Sequence, residues 1–477
     1  MKLRDYQSDL ASRLRDSFSN GKRRPLIVLP TSGGKTVLFS YIAKNSVSKN
    51  NVVWIIAHRA KLISQAGSTL AKFGVTHGVI KSGIEPSPDE MVQVCSVQSL
   101  ASRAGKIRPP NLIIIDEAHH ATASMYTNAI KSYPDAKVIG VTATPCRLDG
   151  RGLGDVFDDL IIGPPLKWLT ENGFSSPALY YAPPEVVNLS KIKMTRGDYD
   201  RSELSDAMDK PGITGDAVTH YRKLCDGKPM LVFCTSVQHA ADVAAEYRMS
   251  GYTAAHVHGG LCTEELNDRI NGLGNGKYQV ITSCDLIGEG LDIPICVAAQ
   301  LLCPTASLGK HLQQIGRVLR VAEGKPHAII LDHVGNCRRH GLACDEREWT
   351  LDAPKKKKRN DDDPEVLVRS CPECFAAHKP SSKCPFCGFV YPPKPRSAAE
   401  IKAGELEQIF EIKKQKKLEE KNCNTYYDFL ALAHSRGYAA PVAWAKIRSG
   451  LKNERNRRPK LNQAINFKNW QSGRAQK

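Results

Sequence analysis

The stretch LIVLPTSGGKT (residues 26–36) joins an apolar run to a glycine turn that carries a lysine and a threonine. Main-chain N–H groups of such a turn, at the start of a helix, bind phosphate oxygens. Lys35 is expected to reach the β- and γ-phosphates of a nucleotide, and the Thr36 hydroxyl is expected to hold Mg²⁺. The predicted phosphate cradle also includes Thr31, Ser32, Gly33 and Gly34.

Two later motifs supply the remaining groups that phosphoryl transfer needs. The sequence DEAH (residues 116–119) ends the apolar run 112–115, so Asp116 is expected to orient the magnesium and Glu117 to polarise the attacking water. The sequence QQIGRVLR (residues 313–320) places Arg317 and Arg320 about one helical turn apart, where they can stabilise charge on the transferred phosphoryl. The three motifs in this order predict a nucleotide hydrolase with two lobes.

Apolar runs alternate with amphipathic stretches over two regions, and this alternation predicts parallel sheets covered by helices on both faces. We therefore expect an α/β fold with two tandem parallel-sheet lobes, a small zinc ribbon and a basic helical C-terminal region. The predicted boundaries are lobe 1 at 1–163, a connector at 164–212, lobe 2 at 213–345, a charged linker at 346–367, the zinc ribbon at 368–392 and the basic tail at 393–477.

The composition favours an acidic partner. The 477 residues carry a formal net charge of +18, which indicates a polyanion such as a nucleic acid, although a solvated basic surface would give the same value. No apolar stretch approaches the roughly 20 residues that span a bilayer, and no signal-peptide core follows the N-terminus. Many of the cysteines lie in apolar runs, as expected of free thiols in a reducing cytosol.

Residues 1–340 resemble the superfamily-two helicases, which implies two RecA-like lobes, ATP hydrolysis and Mg²⁺. LRDYQ (residues 3–7) resembles the family's adenine-reading segment, which implies that Gln7 binds the base edge. TAT (142–144) resembles the motif that couples hydrolysis to strand movement, and GEGLD (288–292) resembles a motif in which Gly290 and Asp292 contact the nucleotide. The resemblance also implies that Gln313 lies near the attacking water and that Arg317 and Arg320 act as arginine fingers.

Other segments resemble the strand-binding elements of this family, in which short polar side chains after strands hold the nucleic-acid backbone without reading its sequence. Such residues are also ordinary turn formers, so this interpretation has a plain structural alternative. The candidate nucleic-acid contacts are Arg59, Ser96, Gln98, Thr235, Ser236 and Thr282.

DGRGLG (149–154) and LDHVGN (331–336) resemble the RadD-like group of bacterial and phage DNA helicases. The resemblance implies ATP-driven work on DNA, with single-stranded or branched DNA favoured, in a bacterial or phage-infected cytoplasm near the nucleoid. An RNA helicase, the motor of a restriction system and a nucleic-acid-binding scaffold with an inactive ATPase are the alternatives.

Two cysteine pairs predict a metal site. Cys371 and Cys374 are followed nine residues later by Cys384 and Cys387, and two such pairs complete a closed, tetrahedral Zn²⁺ site. A redox pair is the alternative, but no strand–helix unit surrounds these thiols. We expect the charged linker to isolate this module from the lobes.

The tail beyond Ile401 is basic and contains interleaved aromatic residues. These rings either stack on unpaired bases or form the core of a small helical unit, among them Phe429, Tyr438, Trp444 and Trp470. The run 355–359 resembles a nuclear import signal but also suits an electrostatic linker. Protein partners are expected at the zinc module or the tail.

Overall fold

A computed structural model describes residues 2–58, 60–146, 152–183, 189, 192–195, 197–208, 211–286, 293–352, 368–392, 418–420, 422–438 and 440–449. The chain forms two compact units, Met1–Tyr391 and Pro392–Lys477. The predicted contacts Arg59, Gly290 and Asp292 lie outside the described residues, as do the basic run 355–359 and Trp470.

The first lobe is built on a parallel sheet with the strand order β3-β4-β2-β5-β6-β1-β7. Its strands are β1 (Pro25–Val28), β2 (Val53–Ala57), β3 (Gly78–Ile80), β4 (Val92–Ser96), β5 (Leu112–Asp116), β6 (Lys137–Thr142) and β7 (Asp159–Ile162). Its helices are α1 (Asp5–Ser19), α2 (Lys35–Val47), α3 (Ala60–Lys72), α4 (Val97–Arg103), α5 (Ser124–Ser132) and α6 (Leu166–Glu171), with 3₁₀ turns at Thr31–Gly33, Ala104–Lys106 and Ala118–His120.

Continuous burial along the central strands explains why the sequence shows apolar runs there. Every residue of β1, β2 and β5 is buried, because helices cover both faces of the sheet. One face packs on α1, α2 and α3, and the other packs on α4 and α5, which gives this lobe two separate apolar clusters. The parallel pairing brings the carboxyl ends of β1 and β5 to the same edge, where the predicted motifs follow them.

The second lobe repeats this plan with the strand order β12-β13-β11-β14-β15-β8. Its strands are β8 (Ala178–Tyr181), β11 (Met230–Phe233), β12 (Ala254–Val257), β13 (Val280–Ser283), β14 (Ala298–Leu301) and β15 (Ala328–Asp332), and a hairpin before the lobe contains β9 (Met194–Thr195) and β10 (Asp198–Tyr199). Its helices, with those that lead into it, are α7 (Arg201–Met208), α8 (Pro211–Cys225), α9 (Val237–Met249), α10 (Thr263–Gly274), α11 (Leu308–Gly316) and α12 (Asn336–His340). Two tandem parallel-sheet lobes are thus confirmed.

The range predicted as a connector is divided between the two lobes. Leu169 is fully buried in the core of lobe 1, whereas β8 pairs with β15 as an edge strand of the second sheet. The hairpin also contributes, because Asp198 accepts hydrogen bonds from the Thr305 hydroxyl and the Ala306 N–H, just before α11 begins. The alternation of apolar and amphipathic stretches did not predict this division, because β8 lies far in sequence from its partner strand β15.

A strap of residues 343–352 leaves lobe 2 and returns to lobe 1. At its start the Ala343 N–H donates to the Tyr180 hydroxyl, and at its end the Leu351 carbonyl accepts from Leu153 and Gly154 at 2.8 and 3.0 Å. Trp349 and Leu351 pack against an apolar cluster of lobe 1. The range predicted as a charged linker therefore begins with a structured segment that ties the lobes together.

The cysteine module packs directly on lobe 2. It contains the short antiparallel strands β16 (Arg369–Ser370) and β17 (Ala377–His378). Tyr181 forms an antiparallel bridge with Ala376, and the Ala182 N–H donates to the Phe375 carbonyl at 2.9 Å, so the module extends the sheet at β8. The prediction that the linker isolates this module is wrong, because main-chain hydrogen bonds join the module to the edge of the sheet.

The described part of the second unit contains α13 (Tyr426–Ser435) and α14 (Pro441–Arg448). Trp444 packs edge-on against Phe429 and Tyr438, with ring centroids 6.1 and 5.1 Å apart, and Leu432 of the same unit is buried. Arg436 pairs with Glu419 and Glu420 at 3.0 and 2.7 Å. For these three rings the structure favours a small helical core over free stacking platforms.

Across the described residues, no helix is both long enough and apolar enough to cross a membrane.

Candidate active site between the lobes

The phosphate loop has the conformation that a helix-capping anion site requires. Strand β1 ends at Val28, the 3₁₀ turn Thr31–Gly33 follows, and Gly34 adopts a left-handed φ of 77° before α2 begins at Lys35. The positive φ favours glycine at this position, and a Cβ there would lie 2.5 Å from the Gln7 amide nitrogen and displace that amide. The loop therefore directs the N-terminus of α2, with its positive dipole end, at the cleft.

Gln7 supports this loop from behind. Its side-chain amide donates to the Gly33 and Gly34 carbonyls at 3.1 and 3.3 Å, and its Oε1 accepts the Arg4 N–H at 3.0 Å. Only 2% of Gln7 is exposed, and it does not line the nucleotide cavity described below. Its role in binding the adenine edge stays a prediction, while its contact with the phosphate loop is direct.

The acidic pair stands opposite the lysine. Asp116 is the last residue of β5, and Glu117 adopts a left-handed φ of 50°, uncommon for a residue with a side chain. The Glu117 N–H donates to Asp116 Oδ1 at 3.0 Å, and Glu117 Oε1 lies 3.9 Å from Lys35 Nζ. Lys35 and both carboxylates are more than nine-tenths buried, so the charges face one another in a largely desolvated cleft.

A chain of contacts leads from these carboxylates to the second lobe. His119 Nδ1 lies 3.5 Å from Glu117 Oε2 and 3.1 Å from the Thr142 hydroxyl. That hydroxyl also accepts the Thr144 N–H and donates to the Thr144 carbonyl. On the other side of the ring, His119 Nε2 lies 3.4 Å from Gln313 Nε2, which belongs to α11. The histidine thus links three predicted motifs across the two lobes.

The second lobe completes the cavity. Arg317 is 5% exposed, and burial lowers the pKa of Arg320 to about 10, which leaves it protonated at neutral pH. These arginines share a cavity of about 600 Å³ with Lys35, Thr36, Asp116, Glu117, Thr31, Ser32 and Gly34. The structure therefore brings together the phosphate cradle, the acidic pair and both arginines that the sequence predicted.

The lobes touch where α11 ends. A Cβ at Gly316 would lie 2.7 Å from Thr31 Oγ1 and 2.8 Å from Thr31 Cβ, so the last residue of the helix rests against the phosphate loop. No longer side chain fits this contact without a shift of Thr31 or of the end of α11.

Two residues at the mouth of the cavity were not predicted. The Arg4 guanidinium lies 4.5 Å above the ring of Phe174, and both side chains line the cavity. Phe174 also packs against Tyr6 and Trp168. Arg4 adjoins the predicted adenine-reading segment, but Phe174 belongs to the connector and carries no motif, so only the fold reveals the pair.

The predicted nucleic-acid contacts differ in accessibility. Ser96 and Gln98 lie together at the carboxyl end of β4, where Gln98 accepts from Ser96 at 2.6 Å and donates to the His58 carbonyl at 3.2 Å. In lobe 2, Ser236 caps α9 by accepting the His239 N–H. Gln98 is exposed and Ser96 and Ser236 are partly exposed, so these three suit contacts with a strand.

Two threonines of lobe 2 are less suitable. Thr235 is 6% exposed, and its hydroxyl lies 2.8 Å from His239 Nδ1. Thr282 has no exposed surface, and its hydroxyl donates to the Ala240 carbonyl. The prediction that Thr282 contacts nucleic acid is wrong for this structure, because the hydroxyl serves the packing of α9 on β13.

The cysteine module has the geometry of a tetrahedral metal site. The Sγ atoms of Cys371, Cys374, Cys384 and Cys387 all lie within 4.8 Å of one another, with separations of 3.5 Å for Cys371–Cys387 and 3.7 Å for Cys374–Cys384. A Zn–S bond of about 2.3 Å in a tetrahedron places sulfur atoms about 3.8 Å apart, so the four thiols fit Zn²⁺.

Comparisons with known proteins match the two lobes separately. Residues 1–147 match the family described as "Type III restriction enzyme, res subunit", and residues 216–322 match "Helicase conserved C-terminal domain". A "51.5 kDa protein" of a Lactococcus phage is 33% identical over 392 residues, which cover 80% of this chain and 83% of that protein. A Saccharomyces cerevisiae protein provisionally named ATP-dependent helicase IRC3 is 30% identical over 364 residues, covering 70% of this chain and 51% of the yeast protein.

A more distant relative and two solved structures are also similar to this chain. The "DNA 3'-5' translocase XPB2" of Sulfurisphaera tokodaii is 23% identical over 360 residues, covering 67% of this chain and 79% of that protein. Among solved structures, Saccharomyces cerevisiae Dbp5 bound to RNA and ADP BeF3 aligns with a TM-score of 0.52 at 16% identity, over 70% of this chain and 84% of that one. The restriction-modification enzyme LlaBIII bound to DNA gives 0.53 at 16% identity, over 70% of this chain and 28% of that one.

These structural likenesses show the paired RecA-like fold, and the family matches cover the lobes that carry each half of the cavity. The chain therefore belongs to superfamily 2 of the helicases and is an ATP-hydrolysing enzyme.

Proposed function

We propose that this protein is an ATP-dependent DNA helicase or translocase, which hydrolyses ATP between its lobes to move along or remodel DNA during replication, recombination or repair. The observation that carries the proposal is the shared cavity, in which Lys35 and Glu117 from lobe 1 face Arg317 and Arg320 from lobe 2. Because both lobes supply charged groups, hydrolysis depends on their approach, as a motor requires.

Each group has a role in the proposed reaction. Lys35 and the N-terminus of α2 bind the β- and γ-phosphates, and the Thr36 hydroxyl and Asp116 hold Mg²⁺, which neutralises charge on those phosphates. Glu117 accepts a proton from the attacking water, which Gln313 helps to place. Arg317 and Arg320 stabilise the charge that develops on the transferred phosphoryl.

The contacts of His119 suggest how hydrolysis is coupled to movement. His119 touches Glu117 in the site, Thr142 beneath it and Gln313 in the other lobe. Loss of the γ-phosphate would alter the charge around Glu117, and the histidine would transmit that change to α11. This gives the lobes two arrangements whose populations the nucleotide controls.

The likeness to a DNA translocase favours DNA as the nucleic acid on which this protein acts. The net charge of +18 suits a polyanion, and one relative is named a DNA translocase. Ser96 and Gln98 in lobe 1, with Ser236 in lobe 2, are the proposed contacts with the strand, and Thr235 and Arg59 remain candidates. A RadD-like DNA helicase is the subgroup that we propose, and the phage relative suits a bacterial or phage-infected cell.

RNA is the second candidate, because the same fold occurs in Dbp5 bound to RNA. A restriction motor is the third, because the family matched by lobe 1 is described as a restriction subunit. We further propose that the four cysteines bind one structural Zn²⁺, since four thiolates leave no position open for a substrate.

The test is ATP turnover measured alone and with single-stranded DNA, duplex DNA, forked DNA or RNA. DNA should stimulate turnover, most strongly as a single strand or fork, and RNA should not. E117Q should bind ATP but lose turnover by about 100-fold or more, because it cannot accept the proton. Stimulation by RNA alone would replace DNA with RNA as the track. Equal turnover with and without any nucleic acid would refute the motor.

A further inference from the structure

Lys325 lies in the loop between α11 and β15 and is 9% exposed. Its ammonium does not point to solvent. Nζ lies 2.6 Å from the carbonyl oxygens of Cys296 and Val318, 2.9 Å from that of Arg320 and 3.3 Å from that of Pro294. Among the described residues, no carboxylate pairs with it, so main-chain oxygens alone hold this buried cation.

This arrangement uses all the hydrogen-bonding capacity of the ammonium. A lysine has three N–H donors, and four carbonyl oxygens lie within their reach, so each donor has an acceptor. A buried charge persists only when such contacts replace its hydration. An uncharged or shorter side chain would leave several buried carbonyls without a donor, which the surrounding chain can relieve only by moving.

The carbonyls belong to two segments that form the lobe 2 wall of the nucleotide cavity. Val318 and Arg320 lie in the turn that follows α11 and that carries Arg317 and Arg320 into the cavity. Pro294, which also lines the cavity, and Cys296 lie in the segment that leads into β14. The ammonium therefore joins these two segments directly behind the arginines.

The connector holds the same turn from another side. The Ser176 N–H and the Ser175 hydroxyl donate to the Leu319 carbonyl at 2.8 and 3.0 Å, and the Ser176 hydroxyl donates to the Arg320 carbonyl at 3.0 Å. The carbonyls of 318, 319 and 320 are thus all fixed although the helix has ended. Lys325 contributes the contacts that come from within lobe 2.

We propose that Lys325 is a positioning residue for ATP hydrolysis, because its ammonium fixes the main-chain turn that presents Arg317 and Arg320 to the transferred phosphoryl. The proposal rests on the proposed function of these arginines. Lys325 is absent from the lining of the nucleotide cavity, so it acts through the geometry of the arginines. A shift of about 1 Å in such groups costs on the order of 100-fold in rate.

The experiment is a double-mutant cycle on the full-length protein with K325M, R320A and K325M/R320A. Turnover is measured at saturating ATP and expressed per nucleotide-binding site, which is titrated with a fluorescent ATP analogue. We expect K325M to lower kcat by about 10- to 100-fold with less than a threefold change in KM. In the R320A background the same substitution should cost less than it does in the wild type, because one of the two groups that it positions is already absent.

Two further variants separate positioning from folding. K277M removes a lysine of the same lobe that pairs with Asp268 on the surface at 2.7 Å, and it should leave kcat unchanged. K325R keeps a permanent charge and several N–H donors, so it should recover part of the turnover that K325M loses. If K325M does not fold, K325Q, which retains two donors, replaces it in the cycle.

The outcomes distinguish the proposed function of Arg320 from the positioning role of Lys325. Normal turnover in R320A would overturn the proposed function of that arginine. Normal turnover in K325M, with R320A inactive, would overturn only the positioning role. Equal fold-losses for K325M with and without Arg320 would overturn the positioning of Arg320, because Lys325 would then act independently of that arginine.

Discussion

Substitution of Gly316 by alanine should prevent the lobes from reaching the arrangement in which ATP is hydrolysed. The added Cβ would lie 2.8 Å from Thr31 Cβ, whereas carbon atoms in contact lie about 3.5–4.0 Å apart. Rotation of the threonine side chain cannot relieve this contact, because Cβ does not move when χ1 changes. The end of α11 must therefore retreat from the phosphate loop by about 1 Å.

That retreat would carry Arg317 and Arg320 away from the phosphates, so we expect kcat to fall by about 100-fold. Affinity for ATP should change little, because Lys35 and the phosphate loop belong to the other lobe. Folding stability should not fall by a comparable amount. Gly316 ends a helix without a positive φ, and alanine is favoured over glycine in helices by up to about 1 kcal/mol.

The assay is steady-state ATP hydrolysis with saturating DNA, together with thermal unfolding and nucleotide titration. G274A is the matched control, because Gly274 also ends a helix of lobe 2 but a Cβ there would have no heavy atom within 4 Å. G274A should hydrolyse ATP at the normal rate. Normal turnover in G316A would show that the contact with Thr31 is absent from the hydrolytic state, and our account of lobe closure would fail.

Three further outcomes are expected. Metal analysis should find one Zn²⁺ per chain, and C371S should release it and lower the melting temperature of the lobe that contains β8; a zinc-free protein with normal stability would contradict this. W444A should unfold the helical unit of the tail, seen as a loss of helical circular dichroism, yet leave basal ATPase unchanged, whereas an intact unit with weaker single-strand binding would favour base stacking. Burial lowers the pKa of Lys325 to about 8, while Cys296 raises it and Arg320 lowers it further. Turnover should therefore decline as pH rises through about 8, and the decline should be less steep in K325R. The contribution of Lys325 to folding stability should instead rise between pH 8 and its unfolded pKa of about 10.4, because the unfolded chain binds the extra proton there. Equal pH profiles of turnover for the wild type and K325R would exclude the lysine as the titrating group.

The sequence was most informative where function depends on contiguous residues. The phosphate loop, the acidic pair and the arginine turn each occupy a short segment, and a parallel sheet gathers such segments at one edge, so their meeting was predictable. The clustering of the four cysteine thiols was equally predictable, because the spacing of the cysteines alone determines which thiols can reach one another.

Single positions whose role depends on distant partners were not predictable. Thr282 resembles a strand-binding residue, yet its hydroxyl meets Ala240 inside the lobe. In the sequence nothing distinguishes Lys325 from a surface lysine, because the carbonyls that surround its ammonium come from two separate segments. Phe174 and the strap at 343–352 likewise gain meaning only from partners that are remote in sequence.

The docking of the cysteine module on β8 also bears on how this protein avoids self-association. An uncovered edge strand presents unpaired N–H and C=O groups that can pair with the edge of another molecule. Here residues 375 and 376 occupy part of that edge through the contacts with Ala182 and Tyr181. If the module binds Zn²⁺ as proposed, loss of the metal would expose this edge strand while the lobes stay folded, and chelation should promote aggregation before it abolishes ATP binding.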